Sequence, residues 1–213
     1  MDMHHLIEEK KSALTWQVSH EMGARDLEIT SDPWSRTHTI KMPMSGADWR
    51  PIEYLHELAH ATLAERHHLL STAFFARGYS QSDINQLINP IRCASDWLAD
   101  HLLMQWCPEE EKAEIREHAD MVRQLADPPD NGLLYMGGLM LSQSEAYLGK
   151  QREKAPRPYR KVIFTLMEEF PPGFAVRVKQ RLINRLASLT TNLSVSIVQD
   201  DGMDVWQIRK EKS

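Results

Sequence analysis

Two histidines and a glutamate stand close together in Glu53-Tyr54-Leu55-His56-Glu57-Leu58-Ala59-His60-Ala61. His56 and His60 are four residues apart in a stretch with helical patterning, which puts both imidazoles on one face with Cβ atoms roughly 6 Å apart. Ring nitrogens so placed can converge on one metal ion. Neutral imidazole is a good zinc ligand, and two such ligands leave room for a third protein ligand and a water in a tetrahedral site. Glu57 is too short and wrongly aimed to be a comfortable ligand, but it is placed to hydrogen-bond that water. Zinc lowers the water's pKa to about 7; the carboxylate can then take its proton and hand it to a departing amine, a complete acid–base cycle for amide hydrolysis. The same spacing can arise by chance on a solvated helix face, because this chain has ten histidines. A strand-like segment upstream, cap signals before the helix, and Leu55, Leu58 and Leu63 to seat it on a core favour the metal site.

A third ligand is expected from Ala94-Ser95-Asp96-Trp97-Leu98-Ala99-Asp100-His101-Leu102-Leu103-Met104, where Asp96 and Asp100 are again four apart. A solvated acidic face is the common explanation of such a pair. A catalytic zinc site needs a third protein ligand, and this favours Asp96 as ligand and Asp100 as acceptor for a histidine N–H, fixing its tautomer. His101, Asp100, Asp83 and the His67-His68 pair remain open as alternatives to Asp96.

The elements that must position these residues are mostly helical. Leu6 to Gly23 has amphipathic spacing and reads as one helix closed by Gly23. Leu27–Thr30 and Thr37–Met42, separated by Ser31-Asp32-Pro33, read as two short strands. Ser45-Gly46-Ala47-Asp48 offers cap residues and Pro51 suits a first helical turn, so the helix carrying the histidines should run from about Ile52 to about Ala76. A short helix from Ser82 to Leu87, a second from Pro90 to Trp106 and a charged one from Glu109 to Leu125 follow. Asp127-Pro128-Pro129-Asp130-Asn131-Gly132 then breaks the pattern and is the best candidate boundary, dividing residues 1–126 from 127–213. Beyond it, helices are expected over Leu133–Leu148, Val162–Phe170 and Val176–Leu189, with a polar connection from Lys150 to Lys161. Leu193–Val198 and Val205–Ile208 flank the turn Gln199-Asp200-Asp201-Gly202 as a terminal hairpin. The fold class is α+β, mostly helical, with a small N-terminal sheet, a helical C-terminal half and a terminal β-hairpin.

A chain of 213 residues, 42% hydrophobic, can bury a sizeable core, and a formal charge of -5 argues against nucleic acid or an anionic membrane as partner. Charged residues interrupt every apolar run short of the ~18 residues of a membrane span, and the N-terminus lacks a signal-peptide pattern, so a cytoplasmic location is expected. Cys93 and Cys107 lie on one helical stretch, roughly 21 Å apart, and cannot bridge within it. They read as buried thiols. The basic residues Arg152, Arg157 and Arg160 read as a solvated loop.

The order of strand, HExxH helix and later acidic helix resembles the gluzincin metallopeptidases, in which a ligand glutamate is followed four residues on by an aspartate, as Asp96 is by Asp100. It also resembles the ImmA/IrrE family of intracellular peptidases, through Ala99-Asp100-His101-Leu102-Leu103-Met104. The resemblance covers residues 37 to 106. Asp96 stands where those families use Glu, and Gln105 replaces the proline after Leu-Leu-Met. What the resemblance implies is a zincin-like core over residues 1–126 with a helical extension over 127–213, Zn2+ on His56, His60 and Asp96, and Glu57 as general base. It further implies cleavage of a protein or peptide substrate, such as a transcriptional repressor, paired to an edge strand near Thr37–Met42. An oxyanion-stabilising side chain is expected, with Tyr135, Tyr147, Tyr159, His101 and His118 available. The competing reading is a non-catalytic, partner-binding protein built on a zincin core. A deformylase is disfavoured, because its glycine-rich and cysteine-bearing segments are missing.

Overall fold

A computed structural model describes residues 2–44, 49–71, 73–125, 127–149, 155–200 and 203–210. The chain is α+β. It opens with α1 (Met3–Ser12), whose N-cap Asp2 accepts from the backbone N–H of His4 at 3.0 Å. Three strands follow, β1 (Gln17–Ala24), β2 (Glu28–Asp32) and β3 (Thr37–Pro43), in spatial order β1-β3-β2 with β1 parallel and β2 antiparallel to β3. Helices α2 (Pro51–His67), α3 (Gln81–Trp106), α4 (Pro108–Arg123) and α5 (Asn131–Leu148) come next, then a 3-10 turn (Arg157–Tyr159), α6 (Arg160–Met167) and α7 (Val176–Ala187). The hairpin β4 (Leu193–Asp200) and β5 (Met203–Lys210) closes the chain. Among the described residues no helix is long and apolar enough to cross a membrane.

Several elements differ from those the sequence predicts. Leu6–Gly23 is not one helix: it breaks after Ser12 and continues as β1. The Glu65 carboxylate pins the break by accepting from the backbone N–H groups of Thr15 and Trp16, both at 2.8 Å, while β3 supplies the ladder that makes Gln17 to Met22 extended. Thr37–Met42 is the central strand and not an edge, since β1 and β2 take both its sides.

The histidine helix ends at His67 and not near Ala76. His68 takes a left-handed conformation (φ 54°), and the chain beyond is drawn into pairing with Trp206, whose N–H donates to Phe74 O at 2.7 Å and whose carbonyl accepts from Ala76 N at 2.9 Å. The two helices expected between Ser82 and Trp106 are one helix of 26 residues with Pro90 inside it. Proline removes one helical hydrogen bond, but the flanking Leu87 and Ile91 are both buried in the main core and hold the axis through it. The cap residues proposed at 45–48, residues 150–154 of the polar connection with Arg152, and Asp201-Gly202 of the hairpin turn lie outside the described residues. Arg50 is the N-cap of α2, and its N–H donates to Glu53 Oε2 at 3.0 Å.

α3 is the spine. Its Leu87, Ile91 and Trp97 join Tyr135 and Leu139 of α5, Val162 of α6, Leu182 and Leu186 of α7 and Val195 and Ile208 of the hairpin in the largest apolar cluster. Leu98, Ala99 and Leu102 pack on Ala59 and Leu63 of α2. Leu103 reaches a third cluster that seats Ile29 of β2 and Ile40 of β3 on Leu55 and Leu58. Residues on both sides of the break at 127–132 thus share one core.

α5 and α6 approach so closely that a Cβ on Gly138 would lie 2.5 Å from Val162 Cβ. Gly138→Ala should therefore destabilise the protein by about 1–3 kcal/mol, read as a lower urea midpoint with unchanged slope. Cys93 and Cys107 are free and buried, and burial together with Glu111 and Glu110 pushes the Cys107 thiol up to about 12. Neither thiol should react with a disulfide reagent at pH 8 in the native protein, and both should react in guanidinium.

Candidate metal centre

α2 presents His56, Glu57 and His60 towards α3 and the sheet because Leu55, Leu58 and Ala59 on the adjoining faces are fully buried. α3 meets it with Asp96 and Asp100. His60 Nε2 lies 3.0 Å from His56 Nε2 and 3.2 Å from Asp96 Oδ1, and His56 Nε2 lies 3.9 Å from that oxygen. The two rings meet edge to face, 4.7 Å between centroids. These three side chains could hold one metal ion. A tetrahedral ion with ligands at about 2.0–2.1 Å sets its donor atoms about 3.4 Å apart, and the three observed separations bracket that value.

Asp100 sits one turn beyond Asp96 and does a different task. Its Oδ1 accepts from His56 Nδ1 at 2.7 Å, and its Oδ2 accepts from the Gln143 side chain of α5. A proton held on Nδ1 leaves the Nε2 lone pair of His56 facing His60 and Asp96. Glu57 is buried, and its Oε2 accepts the backbone N–H of Ile29 at 2.8 Å, a group on the side of β2 away from β3. Sheet and helix are thereby tied together at the residue expected to move protons.

The electrostatics follow from burial among charges of both signs. Burial pulls the His56 imidazole down, but the Asp100 carboxylate, helped by Glu57 and Asp96, outweighs it and holds His56 well above its ordinary value. Burial raises Glu57 despite the neighbouring histidines. Burial would raise Asp96 too, yet its contact with His60 keeps it below the usual carboxylate range. Outside this group, Glu111 of α4 is pushed up to about 8 by burial and by the Asp100 carboxylate.

A cleft of about 510 Å³ opens over the group, lined by His56, Glu57, Asp96, Asp100, Trp49 and Glu111 among others. The alternatives to Asp96 lie elsewhere, Asp100 excepted. His67 packs against Phe174, Asp83 lies in the first turn of α3, where its N–H donates to the N-cap Ser80, and pairs with Lys210 at 3.3 Å, and His101 Nδ1 bonds Tyr147 Oη at 2.6 Å against Phe170 and Phe174. Tyr135 donates to Leu186 O and Tyr159 to Leu125 O, so neither is aimed at the centre. Of the five oxyanion candidates only His118 lines the cleft.

Sequence reasoning missed Gln143, the Ile29 N–H and Glu111. Gln143 lies 43 residues from its partner, the Ile29 group belongs to the backbone, and Glu111 sits in a run of three glutamates that reads as a solvated helix start.

No family model, no curated protein and no solved structure matches this chain.

If Asp100 orients His56, Asp100→Ala should weaken zinc binding about 10–100-fold, measured by competition with a chelating dye, with the fold retained by circular dichroism.

Proposed function

We propose that the chain is a zinc-dependent metallopeptidase that hydrolyses peptide bonds of a protein or peptide substrate. The observation that carries this reading is the anchored Glu57 carboxylate lining the same open cleft as His56 and Asp96, which with His60 could hold one metal ion. A purely structural zinc site is closed by four protein ligands and has no use for a carboxylate held beside it.

His56, His60 and Asp96 would hold the zinc, which supplies Lewis acidity to the scissile carbonyl and to water. Glu57 keeps Oε2 on the Ile29 N–H and has Oε1 to accept a proton from the attacking water and return it to the leaving nitrogen. Burial raises its pKa, which makes it the stronger base once ionised. Asp100 holds the His56 tautomer, and Gln143 holds Asp100. His118, the one expected oxyanion donor that lines the cleft, is assigned that role here.

A substrate strand cannot use β3, which is central, nor β2 at Ile29, whose N–H is taken by Glu57 and whose carbonyl accepts from Ser71 Oγ at 3.5 Å. Extended pairing is therefore proposed at Asp26 and Leu27, which precede β2 and line the cleft. Two free, buried thiols suit the reducing cytoplasm as the site of action.

Elemental analysis should find about one zinc per chain, lost in His56→Ala and sharply lower in Asp96→Ala. The zinc-loaded wild type should cleave an unfolded protein mixture, and Glu57→Gln should retain zinc while losing on the order of 10²–10⁴-fold in rate. No zinc bound or taken up on reconstitution would overturn the reading and leave a metal-free partner-binding protein.

A further inference from the structure

Resting on the peptidase reading, we propose that the cleft beside the candidate metal centre contains a subsite for a positively charged substrate side chain, arginine or lysine, with Glu111 as its specificity-determining residue.

The acidic groups of the cleft are not equivalent. Asp96 contacts His60, Asp100 is shared by His56 and Gln143, and Glu57 holds the Ile29 N–H. Arg50 takes the next two, donating from Nε to Glu53 Oε1 at 3.0 Å and from Nη1 to Glu114 Oε1 at 2.7 Å. Asp26 also lines the cleft but is exposed to solvent, which leaves Glu111 as the buried acid without a partner. Glu111 is only 5% exposed, it lines the cleft, and among the described residues its carboxyl has no hydrogen-bond or ion-pair partner. A carboxyl with little access to water and no partner is costly to ionise, and the neighbouring Asp100 and Glu114 charges add to that cost. A cation arriving from the cleft removes both penalties at once.

The cation is an organic one. Among the described residues only His56, His60 and Asp96 bring ligand atoms together as a metal would need, so Glu111 is not part of a second ion site. Leu103, Ile115, Leu139 and Met140 line the same cleft, and such apolar walls suit the methylene stem of lysine or arginine while the charged head reaches the carboxylate. The solvated face that Glu109-Glu110-Glu111 suggests is only partly that, since Glu111 turns inward to the cleft.

The test uses the zinc-loaded Glu57→Gln chain, with and without Glu111→Gln, and N-acetylated alanine-based hexapeptides carrying one arginine at each position in turn. Each has a citrulline counterpart, which keeps the shape and loses the charge. At one position the arginine peptide should bind about tenfold or more tightly than its counterpart, and Glu111→Gln should collapse that ratio. The charge comparison within the parent chain stands even if Glu111→Gln fails to fold. Equal affinities at every position, a preference that survives Glu111→Gln, or no binding of any peptide would overturn the subsite. Preference for a free over an acetylated N-terminus in neutral peptides, without preference for arginine, would also overturn it. Cleavage by the zinc-loaded chain with Glu57 intact is scored separately: peptides bound with the arginine preference but never cut leave the subsite standing and the peptidase reading overturned, and cleavage indifferent to charge does the reverse.

Discussion

The hydrogen bond from His56 Nδ1 to Asp100 Oδ1, 2.7 Å long, crosses the seam between α2 and α3, and the geometry of the centre depends on it. Each residue along a helix turns the side chain by about 100°. A slip of α3 by one position would therefore carry both aspartates away from α2. With Asp100 locked on His56, the residue one turn earlier on the same face is Asp96, and it falls against His60. Two four-residue spacings on two packed helices thus interlock, and each fixes the register of the other. Gln143 extends the lock to α5, whose own position depends on Gly137 and Gly138 letting Tyr159 and Val162 come close.

The same region concentrates charge where water is scarce. Glu57, Asp96, Asp100 and Glu111 are carboxyl groups near two imidazoles, and the pull between burial and neighbours raises the proton affinity of Glu57 and Glu111 and lowers that of Asp96. The C-terminal half contributes to this balance as well as to the core. Lys179 of α7 is almost fully buried, its Nζ donates to Leu70 O, and its ammonium favours the ionised form of Asp96. Burial in turn pulls Lys179 down to about 7, against the attraction of Asp96. The extension after residue 127 is therefore tied to the centre by Gln143 and by Lys179.

Local chemistry was legible in the sequence where its signal is local. The His56–His60 and Asp96–Asp100 spacings are periodic within one helix, and the terminal hairpin alternates over Leu193–Ile208. What could not be read depends on distant partners. Leu6–Gly23 has apolar spacing that a helix would also use, and only the acceptance of Thr15 and Trp16 by Glu65, fifty residues away, turns its second half into β1. The stretch beyond His67 has helical composition, but Trp206 claims its backbone. Pro90 looks like a helix start because proline is at ease there, and only the shared burial of Leu87 and Ile91 shows that the helix runs through it. Glu111 carries no local mark that separates it from Glu109 and Glu110.

Aspartate at position 96 reaches one methylene less far than glutamate would, so its contact with His60 needs the two helix backbones close together. The α2–α3 seam is built for that. Ala59 sits beside His60, Ala99 sits beside Asp100, and both are fully buried in the cluster that joins the two helices. Small residues at a crossing let helix axes come nearer than the larger side chains of Leu or Ile would allow. Across this seam Asp96 Oδ1 lies 3.2 Å from His60 Nε2 and Asp100 Oδ1 lies 2.7 Å from His56 Nδ1. A glutamate at 96 would carry its carboxylate one methylene farther from the α3 backbone, so the shorter acid and the small buried residues Ala59 and Ala99 suit the same close seam.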